Sequence, residues 1–282
     1  MKKNFNEVKK IFLLICLTLF LSYLNINAVS ISVPTVGIKT IGEAMINAKS
    51  GDTVWLSDGI YREHVFVKSG VTLIARNYFK AVVDGNGRGT VITLSTDSKI
   101  CGLEIRGGTI GVFSKDPGNA IIKCRITKNW GTGIICVRHL PQIEDNIIVF
   151  NKASGIQGWD IRSTSASVNH NTIAFNGNNG IAFGGYSEVL IENNLIVFNE
   201  RMGVKLSSKS ENSKLVKNNI YGNLMITRTI PQDNFSFDPK FSSPRTKLDF
   251  TIKTDAPCCM YGSDNQIIGS RIADGKFINE GL

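Results

Sequence analysis

The chain is poor in the groups that build metal centres and covalent staples. Its 282 residues hold three histidines, His64, His139 and His170, and six cysteines. Loss of an amino-terminal leader leaves five, Cys101, Cys124, Cys136, Cys258 and Cys259, and an odd number does not close a disulfide framework. Cys258 and Cys259 are adjacent, which is no zinc-ligand spacing, and only one histidine lies beyond position 139 to join them. No cluster of Asp and Glu able to hold calcium stands out, so calcium is not indicated and no cofactor is expected. There is no run of Lys and Arg, which argues against nucleic acid as a partner of an exported chain. No later membrane span, sorting motif or extra domain appears, so one domain is expected throughout.

Lys2, Lys3, Lys9 and Lys10 precede an apolar run from Ile11 to Leu24, and Ala28 supplies a small residue at a cleavage point. That is the pattern of a secretory signal peptide over residues 1–28. The run is short for a membrane span of about 20 residues, so no stable membrane insertion is expected after cleavage. Cys16 does not read as a lipidation site, because Leu13-Leu14-Ile15 lacks the small residues that precede one. A secreted, cell-envelope or periplasmic protein follows. The full chain carries +9, and cleavage removes four lysines and one glutamate, so the remainder stays basic. A basic surface favours anionic partners such as uronic-acid polysaccharides or teichoic acids.

What the sequence does have is repetition. From Ala120 to Asn223 one phrase recurs five times: Cys124 to Asn129, Asn146 to Asn151, Asn171 to Asn176, Asn194 to Asn199 and Asn218 to Asn223. Anchored on Ile126, Ile148, Ile173, Ile196 and Ile220, the periods are 22, 25, 23 and 24 residues, the range of a solenoid. In the first four units Gly133-Ile134, Gly155-Ile156, Gly180-Ile181 and Gly203-Val204 follow at a fixed offset. A leucine-rich repeat has similar length but needs a Leu-rich strand and room for a helix. Here Val, Ile, Phe and Thr alternate with period two, and Asn or Gly punctuates every few residues, which predicts three short strands per turn joined by tight corners. Asn suits such corners because it tolerates left-handed backbone angles. Rungs about 4.8 Å apart would stack Asn146, Asn171, Asn194 and Asn218 into one amide ladder and Asn129, Asn151, Asn176, Asn199 and Asn223 into another. Cys101, Cys124 and Cys136 read as inward-facing.

The motif Asn-x-Ile-x-x-Asn-x-x-x-Gly-Ile resembles the right-handed parallel β-helix repeat of pectate-lyase-like proteins, polygalacturonases and alginate epimerases. The resemblance implies an all-β, single-stranded right-handed parallel β-helix over residues 29–282. A short cap helix opens it at 38–49, signalled by the capping box Thr40-Ile41-Gly42-Glu43. Coils fill 52–223, and 224–282 form a closing segment that packs along or over the carboxyl end, because Asp238-Pro239-Lys240-Phe241 and Asp249-Phe250-Thr251-Ile252 resemble the end of many such proteins. Tyr61, Arg62 and Glu63 match the start of the fold and read as structural.

Counting in register from each Gly-Ile pair brings Val137, Trp159 and Gly184 into one outward column, Arg138, Asp160 and Gly185 into the next, and His139, Ile161 and Tyr186 into a third. Arg162 and Glu188 lie just beyond. Trp159 and Tyr186 suit stacking on sugar rings, and Arg138 and Arg162 suit carboxylates. Gln157 and Lys205 complete the expected substrate-binding set with Trp159, Arg162 and Glu188. As an enzyme, the chain would use Arg138 or Arg162 to neutralise a uronate, His139 as base and Tyr186 as acid, with Asp160 and Glu188 as the nearby carboxylate pair that hydrolysis would need. The Asp-Pro-His motif of alginate epimerases and the Asn-Thr-Asp, Asp-Asp, Gly-His-Gly and Arg-Ile-Lys motifs of polygalacturonases are absent. A second polar column, Lys123, Asp145, His170, Asn193 and Lys217, reads as a solvated corner with a hydrogen-bonded histidine. Three readings stay open: a monomer that binds anionic polysaccharide, a polysaccharide lyase or uronate epimerase using the same residues, and a scaffold.

Overall fold

The computed structural model describes residues 28–210, 212–225, 232–252, 256–257, 262–264, 266–273 and 276–277. The leader expected at 1–28 lies outside them except for Ala28, as do Cys258 and Cys259. Among the described residues no helix is long and apolar enough to cross a membrane.

Each repeat folds into three short strands, and successive repeats pair in parallel to give sheets of nine, seven and eight strands. Sheet A runs from Ser30–Val33 to Lys214–Val216, sheet B from Gly59–Tyr61 to Asn219–Tyr221, and sheet C from Val65–Val67 to Val204–Leu206. The chain is an all-β parallel β-helix. The isoleucine anchors are neighbours in sheet B, with Ile126 opposite Ile148, Ile148 opposite Ile173, Ile173 opposite Ile196 and Ile196 opposite Ile220. A second column in sheet C joins Ile134, Ile156, Ile181 and Val204. A third in sheet A joins Ile100, Ile121, Ile143, Val168 and Ile191. These three columns fill the interior of the coil, because every second side chain of a strand points inward. Cys124 and Cys136 are buried as expected, but Cys101 points outward from sheet A, half-buried, because Ile100 takes the inward place.

The A-to-B corner turns on one left-handed residue, Lys123, Asp145, His170, Asn193 or Lys217, with φ between 51° and 57°. A non-glycine residue there costs roughly 1–2 kcal/mol. At the last four of these corners the asparagine that follows offsets that cost, and at the first Cys124 N donates to Asn146 Oδ1 on the next rung. Asn171 Oδ1 accepts from the main-chain N and the Nδ2 of Asn146, each at 2.9 Å, while its own Nδ2 reaches Asn194 Oδ1 at 3.0 Å. The ladder runs from Asn146 to Asn218 and gains a further member, Asn234, from the closing segment. The ladder from Asn129 to Asn223 bonds in the same way at the B-to-C corner.

At the amino end the helix Ile41–Asn47 closes the coil, with Thr40 as its N-cap and Glu43 completing the capping box. Glu63 accepts from the N–H groups of Ile41 and Gly42, and the buried Tyr61 hydroxyl donates to carbonyls of Val33 and Ser57. Both residues therefore hold the cap. Ser30–Val33, ahead of the helix, adds a strand to sheet A.

After Asn223 the closing segment turns back along the side of the coil. The outward residues of sheet B in its later rungs, Ile147, Val149, Ala174, Leu195 and Val197, are apolar and fully buried, so they need a cover. The hairpin of Phe241–Ser243 and Asp249–Ile252 provides it. Phe150, Phe175 and Phe198 stack at 5.2 Å spacing beneath Phe241 and Phe250. The strap then crosses the A-to-B corner. Gly269 donates to Asn193 O, Arg271 pairs with Asp145 and Glu144, and His170 meets Asp264 at 2.9 Å and the carbonyl of Ile267 at 3.1 Å. The corner expected to be solvated is covered, and His170 is 1% exposed.

Candidate functional site

The strands Ile134–Val137, Ile156–Trp159 and Ile181–Gly184 end at one edge of sheet C, where it turns into sheet A. Their register sets Val137 beside Trp159 and Trp159 beside Gly184. Trp159 remains 39% exposed. Its indole lies over Gly184, where a Cβ would stand 3.0 Å from Cδ1, so the absent side chain makes the seat for the ring.

Arg138, Asp160 and Gly185 come next, all left-handed, with φ of 66°, 52° and 64°. Arg138 N donates to Trp159 O at 3.0 Å and Asp160 N to Gly184 O at 3.2 Å, which stacks the three corners. Asp160 Oδ1 accepts from Tyr186 N at 3.2 Å and occupies the space a Cβ on Gly185 would need. Tyr186 is thereby held 58% exposed, and Lys209 Nζ sits 4.8 Å from its ring centroid. Such a cation over a phenol ring is worth roughly 0.5–1 kcal/mol at an exposed site.

The other expected residues take lesser places. Gln157, Ala182 and Lys205 form the outward column of sheet C, with Lys205 exposed and Gln157 Oε1 accepting from Thr132 Oγ1 at 3.3 Å. Arg162 stands opposite Glu188 in the backbone register of sheet A, and Glu188 Oε1 accepts from Asn212 Nδ2 at 2.9 Å. His139 is half-buried after the corner, and its N–H closes a turn onto Val137 O at 2.8 Å. No hydrogen bond joins its ring to Asp160, Tyr186 or another described residue. The edge therefore gathers Arg138, Trp159, Asp160, Tyr186 and Lys209, but it couples no base to an acid. Asp160 and Glu188 are each held by a neighbour.

Lys209 escaped sequence reasoning because it lies in a turn between strands, where no periodic anchor fixes its place. The role of Gly184 and Gly185 was equally hidden, since an open seat is a property of the rung above. Elsewhere the densest ionic group is on the outward face of sheet B, where Arg106 pairs with Asp84 and Glu104, and Arg125 with Glu104. It is internally satisfied, with the Arg125 guanidinium over the ring of Phe79.

Among solved structures the chain is similar to the A-module of the mannuronan C-5 epimerase AlgE4 from Azotobacter vinelandii, at 19% identity and TM-score 0.48 over 66% of this chain and 67% of that one. It is similar to an alginate lyase from a Paenibacillus species, at 17% identity and TM-score 0.45 over 73% and 76%. The pectate lyase Pel9A matches at 12% identity and TM-score 0.47 over 84% and 93%. No curated protein sequence matches it. Residues 45–252, most of the coil and the first part of the strap, match the profile described as periplasmic copper-binding protein (NosD), and the chain belongs to that family.

Proposed function

We propose that this is an exported monomer that binds an anionic polysaccharide along the C-to-A edge, without a resident metal. One observation carries the reading: Trp159 is seated on Gly184, Lys209 lies over the exposed Tyr186, and the exposed Arg138 occupies the corner in register with Asp160. Aromatic faces at fixed angles take the apolar faces of sugar rings, and the cations take carboxylates. Binding is favoured over elimination or epimerisation because those reactions need a base poised on the proton beside the carboxylate. Here Asp160 is spent on a turn, and among the described residues no hydrogen bond orients the His139 ring.

The family description names copper and the periplasm. A periplasmic location agrees with the leader pattern at 1–28. Copper fits the described residues poorly. Burial pushes the Cys136 thiol up to about 12 and the Cys124 thiol higher still, so neither offers a thiolate near neutral pH. His64, His139 and His170 lie in different parts of the coil, and no three of His, Cys, Asp and Glu cluster among the described residues. Met202 and Met225 face each other across a parallel backbone bridge, which by itself supplies at most two thioethers.

The test incubates the mature protein with uronic-acid and neutral polysaccharides in deuterated buffer, with and without calcium, and follows each polymer by proton NMR. Selective line broadening of uronic polymers, unchanged by chelator, is expected. Loss of the signal beside the carboxylate, a new unsaturated proton or new reducing ends would replace binding with epimerase, lyase or hydrolase chemistry. No change of any kind would leave a scaffold.

A further inference from the structure

At the opposite edge of sheet C, where sheet B turns into it, an open cleft of about 390 Å³ lies between the coil and the strap. Lys128, Trp130, Phe150 and Lys152 line it from the coil, and Arg245 and Leu248 from the hairpin turn. Trp130 and Lys152 each follow a ladder asparagine, Asn129 and Asn151, so they occupy equivalent places on consecutive rungs. Lys128 and Phe150 are likewise equivalent, both left-handed corner residues. Arg245 is fixed from the other side, its guanidinium 4.6 Å from the centroid of Phe175, which stacks on Phe150.

Three exposed cations thus converge on an apolar floor. Among the described residues no carboxylate forms an ion pair with any of them, whereas the half-buried Arg106, Arg125 and Arg271 are each matched by carboxylates. Like charges held together without a counter-ion favour an anion between them. Trp130, 66% exposed, adds a flat apolar wall of the kind that takes a sugar ring. The volume falls in the range of small-ligand pockets.

We propose that this cleft is a second binding site, one that holds a carboxylate-bearing sugar unit with its ring against Trp130 and its carboxylate between Lys128, Lys152 and Arg245. The inference shares its ligand class with the edge described above, but neither its residues nor its place. Because Arg245 and Leu248 come from the strap, the site is complete only when the strap is docked.

Fluorescence separates the two sites, since the chain has three tryptophans, Trp55, Trp130 and Trp159. The double variant W55F/W159F leaves Trp130 as the sole indole, and W55F/W130F leaves Trp159. Each is titrated with a short oligogalacturonate, with its neutral methyl ester and with inorganic phosphate, after a melting curve confirms folding. A saturable change at Trp130 with the acid is expected, about tenfold weaker with the ester. Adding K128A and K152A should weaken the acid about tenfold, the loss of charge-assisted hydrogen bonds, and leave the ester unchanged. The proposal is overturned by no saturable change at Trp130, by an equal response to phosphate, or by indifference to the lysine changes. A response at Trp159 with none at Trp130 removes the cleft and keeps the edge; the reverse removes the edge and keeps the cleft.

Discussion

Replacing Asn171 with alanine tests whether the amide ladders hold the coil together. Asn171 is fully buried inside its ladder, between Asn146 and Asn194. Its Nδ2 donates to Ile143 O at 2.8 Å, Asn169 O at 2.9 Å and Asn194 Oδ1 at 3.0 Å. Its Oδ1 is the acceptor for both Asn146 N and Asn146 Nδ2. Alanine leaves the Asn146 main-chain N–H without a partner inside the protein, while Asn146 Nδ2 keeps only Ile121 O. A buried donor or acceptor without a partner costs about 1–3 kcal/mol. Two donors and the Ile143 carbonyl are affected, so a loss of about 3–5 kcal/mol is expected after some relaxation. For a domain of this size that lowers the melting temperature by roughly 6–20 °C. Urea unfolding followed by far-ultraviolet circular dichroism measures it as a shift in midpoint at unchanged slope. Asn212→Ala is the control, because Asn212 is exposed and donates only to Glu188, and it should change stability by no more than about 0.5 kcal/mol. A cost below about 1 kcal/mol at Asn171, or one equal to the control, would refute a structural role for the ladder.

Gly184→Ala puts a Cβ 3.0 Å from Trp159 Cδ1, so the indole must tilt; uronic polymer binding should fall several-fold with the melting temperature nearly unchanged, and unaltered binding would sink the edge as a platform. Arg271→Ala leaves the buried Asp145 carboxylate uncompensated, a cost of about 3–5 kcal/mol, visible as a lower midpoint and faster proteolysis of the chain after Asn223. Asp264 is partly buried, which pulls its carboxyl up, but the Gln266 N–H and His170 outweigh that and hold it below its ordinary 3.8. A carboxyl depressed by folding adds stability that is whole above its unfolded pKa and lost as pH falls through the lower folded one. The strap should therefore loosen only below about pH 4, and proteolytic release already at pH 6 would contradict this. Burial raises the thiol pKa of Cys101, Cys124 and Cys136; alkylation of the native protein at pH 8, mapped by mass spectrometry, should reach the half-exposed Cys101 before Cys124 and Cys136, and early modification of Cys136 would mean the coil opens.

The repeat itself was legible in the sequence. A period of 22 to 25 residues puts each isoleucine anchor and each asparagine over its counterpart, and stacking in parallel register follows from backbone hydrogen bonding alone. The cap helix was legible for a similar reason, since Thr40 and Glu43 satisfy each other within one turn. Register likewise placed Arg138, Trp159, Asp160 and Tyr186 on one edge. It did not say what those groups would bond to, because Asp160 turns toward the Tyr186 N–H only where Gly185 leaves room.

The strap, the covered corner and the cleft were decided by tertiary structure. The bonds that dock the strap join residues far apart in sequence, 94 positions between His170 and Asp264 and 127 between Glu144 and Arg271, and no period links such positions. Sheet B showed an apolar outer face in Ile147, Val149, Leu195 and Val197, which demands a cover without naming it. The sequence by itself determined the coil, because each rung needs only its neighbours; the tertiary structure decided which face stays open, because the hairpin that buries Phe150 and Phe175 also brings Arg245 over the edge of Lys128 and Lys152.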